Sequence, residues 1–172
     1  ADVVHITSES HTGEPIAAPY PHLRGRYDLT LESMKDIDRI RADSDFVFIG
    51  LPHGPAMAAG KAPEKPPTRI IDLGADFRFD DTDIYEAWYH VPHTYKNAPR
   101  VYGLAEWHRE EIKDAKIIGN AGCFTTASIL ALAPLAKSHL IDTKSIIVDA
   151  KSGVTGAGRS PQLANHFPEL YD

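Results

Sequence analysis

Residues 116–123 read KIIGNAGC and lead from a short apolar run directly into a glycine and the only cysteine of the chain. An apolar run that ends at turn residues is typical of a strand buried in a parallel sheet. Residues 125–138 carry apolar side chains at helical spacing and predict a buried helix, which Pro134 shortens or bends. Cys123 is therefore predicted to lie where a strand ends and a helix begins.

Strands are predicted at four other places, each marked by an apolar run. Residues 45–52, 69–73 and 145–150 read DFVFIGLP, RIIDL and SIIVDA, and residues 3–7 form a shorter run with which the chain opens. We expect residues 45–52 to be buried on both faces. The helical segments predicted between the strands are residues 55–60, 85–88 and 109–114. Strands that alternate with helices indicate an α/β fold with a parallel sheet, whose ligands bind at the carboxyl ends of the strands.

The composition excludes several classes of function. The chain has 172 residues, of which 42% are hydrophobic, and a net charge of -6, which argues against a nucleic-acid or membrane-surface role. No apolar run approaches the roughly 20 residues of a membrane span. A single cysteine excludes a disulfide framework and fits a reducing compartment such as the cytoplasm. Nine histidines form no metal-binding motif, and four of them are expected on exposed loops: His22, His90, His93 and His108.

The predicted position of Cys123 suits nucleophilic chemistry. The partial positive charge at a helix N-terminus stabilises a thiolate. Gly122 allows a sharp turn that leaves the sulfur accessible. The backbone N–H groups of Phe124 and Thr125 are placed to stabilise an oxyanion. The alternative is a buried structural cysteine that acts as a small hydrophobic residue.

Three other segments follow predicted strands. Arg78 is placed to bind a phosphate or carboxylate with its planar guanidinium, or else to pair with Asp76 or Asp80. Residues 151–159 read KSGVTGAGR and expose backbone N–H groups to an anion or a flat ring, although such loops are often plain turns. Residues 51–54 read LPHG and lie either where a nucleotide binds or in a simple turn.

Taken together, five motifs identify a family. They are residues 51–54, residues 72–78 (DLGADFR), residues 101–104 (VYGL), residues 119–123 (GNAGC) and residues 149–159 (DAKSGVTGAGR). In their order and spacing, the chain resembles the N-acetyl-gamma-glutamyl-phosphate reductase family of the semialdehyde dehydrogenase superfamily over nearly all of its length.

The resemblance implies a fold and an activity. The fold is an α/β, Rossmann-like parallel sheet domain in residues 1–121, followed by the start of an α/β catalytic domain in residues 122–172. The activity is the NADPH-dependent reduction of N-acetyl-L-glutamyl 5-phosphate to the semialdehyde through a cysteine thioester, in arginine biosynthesis. The expected partners are this small acyl phosphate and further copies of the chain in a homo-oligomer, with no nucleic acid, membrane or metal.

The resemblance also implies roles for individual residues. Cys123 matches the nucleophile of the family, and Arg78 and Asn120 match positions near the substrate phosphate. The positions that match cofactor contacts are Thr7, Ser8, Leu51, Pro52, His53, Ser152, Gly153 and Gly156. Glu9 stands where a basic residue often meets the 2′-phosphate of NADP, so NAD is an alternative cofactor.

Other departures concern the ends of the chain. The first strand and Gly-rich phosphate loop of the family precede residue 1, and its catalytic histidine follows residue 172. The chain is therefore expected to be a fragment that lacks both ends and that neither binds the dinucleotide tightly nor turns over by itself. Ala121 and residues 124–125 are milder substitutions, for a proline and for Tyr-Pro.

Three alternative functions stay open from the sequence. One is the reduction of a related acyl phosphate, either aspartyl phosphate or a carrier-bound aminoadipyl or glutamyl phosphate. Another is a cysteine hydrolase, which needs a histidine base that no motif here supplies. The third is a non-catalytic fragment.

Overall fold

The computed structural model describes residues 1–61, 68–153 and 156. The chain divides into two compact units, Ala1–Gly122 and Cys123–Asp172. The first unit contains a four-stranded sheet in the order β1-β2-β4-β3, in which all neighbouring strands are parallel. The α/β, Rossmann-like fold class predicted from the sequence is thereby confirmed.

Helices and strands alternate along the first unit. They are α1 (Ile37–Ala42), β1 (Phe46–Ile49), α2 (Pro55–Gly60), β2 (Arg69–Asp72), α3 (Thr82–Tyr89), β3 (Arg100–Gly103), α4 (Ala105–Asp114) and β4 (Ile117–Asn120), with short 3-10 turns at Pro21–Leu23 and Met34–Asp36. The second unit contributes α5 (Cys123–Lys137). Because α2 links β1 to β2 and α4 links β3 to β4, each of these two connections joins parallel strands.

The core of the first unit lies around the two central strands. Ile70 of β2 pairs with Ile117 of β4, and both side chains are buried. Ile49 at the end of β1 and Phe77 beyond β2 join them in one apolar cluster.

Two expectations about the N-terminal part are wrong. Residues 3–7 form no strand but make a single parallel bridge, between Thr7 and Glu32. The prediction that β1 is buried on both faces also fails, since Phe46 and Phe48 are more than half exposed. β1 is the edge strand of the described sheet, and a groove of about 850 Å³ lies between it and residues 1–7, so its outer side chains are not covered by a paired strand.

Residues 145–150, which were predicted to form a strand, adopt neither helix nor strand. Ile147 is 93% exposed, and Val148 is about half exposed. A strand needs a hydrogen-bonded neighbour, and none of the described residues of the second unit forms one. Conversely, the structure contains β3, a strand that the sequence does not predict.

The long helix of the second unit begins two residues earlier than predicted, at Cys123. It extends through Pro134 to Lys137. Proline has no N–H, so α5 lacks the hydrogen bond that residue 134 would otherwise donate to the preceding turn.

Candidate functional site

Three polar segments of the first unit meet at one edge of the sheet. Because β1, β2 and β4 are adjacent and parallel, their carboxyl ends point the same way. The loop at residues 51–54 follows β1, residues 73–78 follow β2, and Asn120 ends β4. Hydrogen bonds link these segments, including Leu73 N–H to Ile49 O at 2.8 Å. The structure thus brings together the candidate residues that the sequence places after these strands.

Arg78 is fixed by the backbone of its neighbours. Its Nε donates to the carbonyl of Asn120 at 2.7 Å, and its Nη2 donates to the carbonyl of Leu73 at 3.2 Å. The close approach depends on Gly119, since a Cβ there would overlap the carbonyl group of Phe77 and lie 2.9 Å from Arg78 N. Glycine at this position therefore determines where the guanidinium lies.

The ion pairs considered for Arg78 are not formed. Among the described residues, it makes no salt bridge with Asp76, Asp80 or another carboxylate. Carbonyl oxygens satisfy two of its nitrogens but do not neutralise its charge. A partly buried guanidinium with this environment is suited to bind an anion.

A buried carboxylate, Asp72, lies beneath the same edge and was not identified from the sequence. Its Oδ1 accepts a hydrogen bond from Gly74 N–H at 3.0 Å. Its Oδ2 has no hydrogen-bond partner among the described residues. Burial, and to a smaller extent the charge of Asp76, raises the pKa of Asp72 above its usual range. Asp72 therefore keeps its proton to a higher pH than an exposed aspartate.

The loop at residues 51–54 presents two exposed residues, Pro52 and His53. The ring of His53 packs edge-on against Tyr89 of α3, with the ring centroids 4.6 Å apart. Gly54 ends the loop with φ of +103°, a conformation that other residues rarely adopt. The loop is thus a defined turn whose outer surface is accessible.

The predicted cofactor positions near the N-terminus lie across the groove. Thr7 lines it together with Gly50 and Leu51. The hydroxyl of Ser8 accepts a hydrogen bond from His11 N–H at 3.3 Å. Glu9, in contrast, uses Oε1 to accept the backbone N–H of the residue that begins the turn Met34–Asp36, at 2.9 Å. One oxygen of Glu9 is therefore engaged within the protein.

His93 corrects the expectation that the loop histidines are exposed. It is buried, and its Nε2 donates to the backbone carbonyl of Asp76 at 2.8 Å. Its Nδ1 accepts from Tyr95 N–H at 3.2 Å, which places the proton on Nε2. The neighbouring Pro92 and the irregular backbone offer no periodic signal from which this burial could have been predicted.

In the second unit, Cys123 is the first residue of α5 and is exposed. The partial positive charge at the N-terminus of this fifteen-residue helix therefore lies next to the sulfur. Ser152, Gly153 and Gly156 are also exposed, and Gly156 N–H donates to Gly153 O at 2.9 Å. The rest of the predicted loop, residues 154–155 and 157–159, lies outside the described residues.

The described residues contain neither a cluster of metal ligands nor a membrane-spanning helix. Within the described ranges, no three His, Cys, Asp or Glu side chains are grouped so that they could hold a metal ion. Nor does any helix there have the length and apolar character needed to cross a membrane.

Comparison with known proteins identifies the family. The family model described as the NAD binding domain of semialdehyde dehydrogenase matches residues 1–115. The chain belongs to the semialdehyde dehydrogenase family. A second model, the dimerisation domain of semialdehyde dehydrogenase, matches residues 123–172. The resemblance inferred from the motifs is confirmed.

Similar proteins carry a more specific name. The chain is 49% identical to the N-acetyl-gamma-glutamyl-phosphate reductase of Pelotomaculum thermopropionicum, over 99% of this chain and 49% of the relative. Identity to the reductase of the same name from Bacillus cytotoxicus is 45%, over 99% and 50%. The corresponding protein of Bordetella pertussis is 43% identical, over 99% and 49%. The chain thus spans about half the length of the curated relatives that it matches.

Proposed function

We propose that the protein reduces N-acetyl-L-glutamyl 5-phosphate to N-acetyl-L-glutamate 5-semialdehyde, with NADPH as the reductant, in arginine biosynthesis. The observation that carries the proposal is the exposed Cys123 at the N-terminus of α5. It lies in a chain that is 43 to 49% identical over nearly all of its length to reductases of that name.

The chemistry assigned to Cys123 is an acyl transfer. Its thiolate attacks the acyl carbonyl, a C–S bond forms, and the bond from carbon to the phosphate oxygen breaks. Phosphate leaves with the electron pair, and the product is a thioester, which is electrophilic enough to be reduced. The backbone N–H groups at the start of α5 are suited to stabilise the oxyanion that forms during the attack.

Arg78 is assigned to the phosphate of the substrate. No described carboxylate lies within salt-bridge distance of its guanidinium, although the buried Asp72 is near enough to interact with its charge, and the carbonyls of Asn120 and Leu73 fix its orientation. A guanidinium held in this way stabilises the negative charge that accumulates on a departing phosphate. Asn120 acts here through its backbone, so its role in the proposal is to orient Arg78.

The residues present fit a nicotinamide dinucleotide. The groove beside β1 is lined by Thr7 and Leu51, which come from two separate segments predicted to contact the cofactor. Pro52 and His53 continue that surface at the carboxyl edge of the sheet. In a parallel α/β sheet, this edge is where nucleotides bind. The bound cofactor supplies the hydride that reduces the thioester, after which the C–S bond breaks and the thiolate is regenerated.

We also propose the domain division, the assembly and the location of the protein. Residues 1–121 form the cofactor-binding domain and residues 122–172 begin the substrate domain, which the boundaries of the compact units support. The match to a dimerisation domain supports a homo-oligomer. A biosynthetic role and a single cysteine support a cytoplasmic location.

The test uses the protein encoded by the complete gene. In the reverse direction, N-acetylglutamate semialdehyde, phosphate and NADP should give phosphate-dependent formation of NADPH. Aspartate semialdehyde should give a much lower kcat/KM. Equal or greater activity with aspartate semialdehyde would identify a different acyl phosphate as the substrate. With N-acetylglutamyl phosphate as the substrate, release of the free acid and phosphate without any dependence on the cofactor would instead indicate a hydrolase.

A further inference from the structure

We propose that Asp76 and Tyr85 are positioning residues that set the conformation of the loop at residues 51–54 and thereby the affinity for the nicotinamide dinucleotide. The inference rests on the proposed function, in which Leu51, Pro52 and His53 contact the cofactor. Neither residue is exposed to the groove or acts on the substrate. Both act through the backbone and the side chains of the loop.

The first link is between the loop and Asp76. The N–H of Gly54 donates to both carboxylate oxygens of Asp76, at 3.0 and 2.9 Å. Gly54 has φ of +103°, and a Cβ at this position would lie 3.2 Å from the side chain of Val91. The turn therefore requires both the glycine and an acceptor for its N–H. Asp76 supplies that acceptor from 22 residues further along the chain.

The second link holds Asp76 in place. Its carboxylate is 1% exposed, and its Oδ1 also accepts the hydroxyl hydrogen of Tyr85 at 2.8 Å. Burial, followed by the bond to Asp76, raises the pKa of Tyr85 well above its usual range, so the hydroxyl remains a donor. No cation pairs with Asp76 among the described residues. The carboxylate of Asp76 is therefore stabilised by two neutral donors, Gly54 N–H and the Tyr85 hydroxyl. Loss of the Tyr85 hydroxyl weakens the position of the carboxylate and with it the hydrogen bond to Gly54.

The third link joins Tyr85 to the other end of the loop. Tyr85 stacks on Tyr89 of the same helix, with the ring centroids 5.0 Å apart and an interplanar angle of 19°. Tyr89 in turn packs edge-on against the exposed His53, at 4.6 Å. Helix α3 thus contacts the loop at two points, at Gly54 through Asp76 and at His53 through Tyr89. A change in the position of Tyr85 alters both contacts.

The Tyr85→Phe variant tests the proposal because it removes only the hydroxyl and keeps the ring that stacks on Tyr89. In the protein encoded by the complete gene, we expect the Kd for NADPH, measured by fluorescence titration, to rise about tenfold. The KM for the acyl phosphate should change less than twofold, roughly, since Arg78 is not in this network. Asp76→Asn should weaken NADPH binding further, because Gly54 N–H bonds to both carboxylate oxygens and would face the amide nitrogen of asparagine in either orientation.

Two controls separate positioning from general destabilisation. Tyr27→Phe makes the same chemical change at an exposed site and should leave the Kd unchanged. Ile70→Val removes one buried methyl group from β2 and lowers the melting temperature without touching the loop. An unchanged Kd in Tyr85→Phe, or an equal increase in Ile70→Val, would overturn the proposed positioning role. If the unmodified protein bound neither NADPH nor NADH, the proposed function itself would fail, and this inference with it.

Discussion

Gly119 determines the geometry around Arg78, so Gly119→Ala is a sharp test of how the edge of the sheet is built. The added Cβ would overlap the carbonyl group of Phe77 and lie 2.9 Å from Arg78 N. These are backbone atoms, which cannot rotate away as the end of a side chain can. We estimate that the segment after β2 must retreat by about 1 Å and that the strain costs about 2–4 kcal/mol.

The same retreat would disturb the proposed anion site. The bond from Arg78 Nε to Asn120 O is 2.7 Å long, and a shift of about 1 Å takes it beyond hydrogen-bond distance. We therefore expect a lower midpoint of urea unfolding together with at least a tenfold loss, roughly, in kcat/KM for the acyl phosphate. The matched control for the unfolding midpoint alone is Gly50→Ala, since a Cβ at Gly50 has no neighbour within 4 Å, whereas Gly50 lines the groove and is no control for activity. Equal unfolding midpoints for Gly119→Ala and Gly50→Ala would show that the backbone of Phe77 does not approach Gly119 as closely as the structure indicates.

Three further predictions concern single side chains. Arg78→Lys keeps the charge but loses the planar guanidinium that donates to two carbonyls, so kcat/KM for the acyl phosphate should fall about tenfold or more. The control Arg109→Lys, on the exposed face of α4, should leave kcat/KM unchanged. Equal kcat/KM values for the two variants would show that Arg78 does not belong to the site. Hydrogen bonds to carboxylates, first that to Glu32, raise the pKa of His5, and the bond to His5 lowers the pKa of Glu32. His5 contributes its full share of stability below its unfolded pKa of about 6.5, and this share is lost as the pH rises through its folded pKa. Glu32 behaves in the opposite way: its share is complete above its unfolded pKa of about 4.5 and is lost as the pH falls through its folded pKa. The free energy of unfolding in urea should therefore fall less above pH 6.5 in His5→Gln than in the unmodified protein. If the two free energies change with pH in parallel, His5 does not contribute stability through its raised pKa. Glu9→Gln removes a negative charge but keeps an oxygen to accept the same backbone hydrogen bond, so the ratio of Kd for NADH to Kd for NADPH should rise severalfold, and an unchanged ratio would place Glu9 away from the ribose.

The parts of the fold that the sequence predicted are those with a strong local signal. β1, β2 and β4 are apolar runs that end at or just before glycine, aspartate or asparagine, and their strand conformation follows from that pattern. β3 was missed because its only apolar residues are Val101 and Tyr102, without the pair of isoleucines that marks β2 and β4. Residues 145–150 have the same apolar signal as β2 but no strand beside them among the described residues, so the pattern alone was insufficient.

In the candidate site, too, the residues with a strong local signal are predicted from the sequence, and the contacts between distant segments are not. Arg78 and Cys123 are predicted because each follows an apolar run, and the structure places Arg78 in the segment after β2 and Cys123 at the start of α5. What the sequence could not show are contacts between distant segments. The bond from Gly54 to Asp76 spans 22 residues, and nothing in the pattern around His93 indicates that it is buried against the backbone of Asp76. Such contacts depend on the packing of the whole first unit.

The central claim is that Cys123 forms a thioester with the acyl group. The most direct measurement mixes the protein encoded by the complete gene with N-acetylglutamyl phosphate in the absence of cofactor, quenches the mixture with acid, and analyses it by intact mass and peptide mapping. The account predicts one phosphate released per subunit in a rapid burst, and an acyl adduct on Cys123 that is absent from Cys123→Ser. Ala131→Ser, at an exposed position on the same helix, should form the adduct normally. A burst that persists in Cys123→Ser, or an adduct on another residue, would contradict the account.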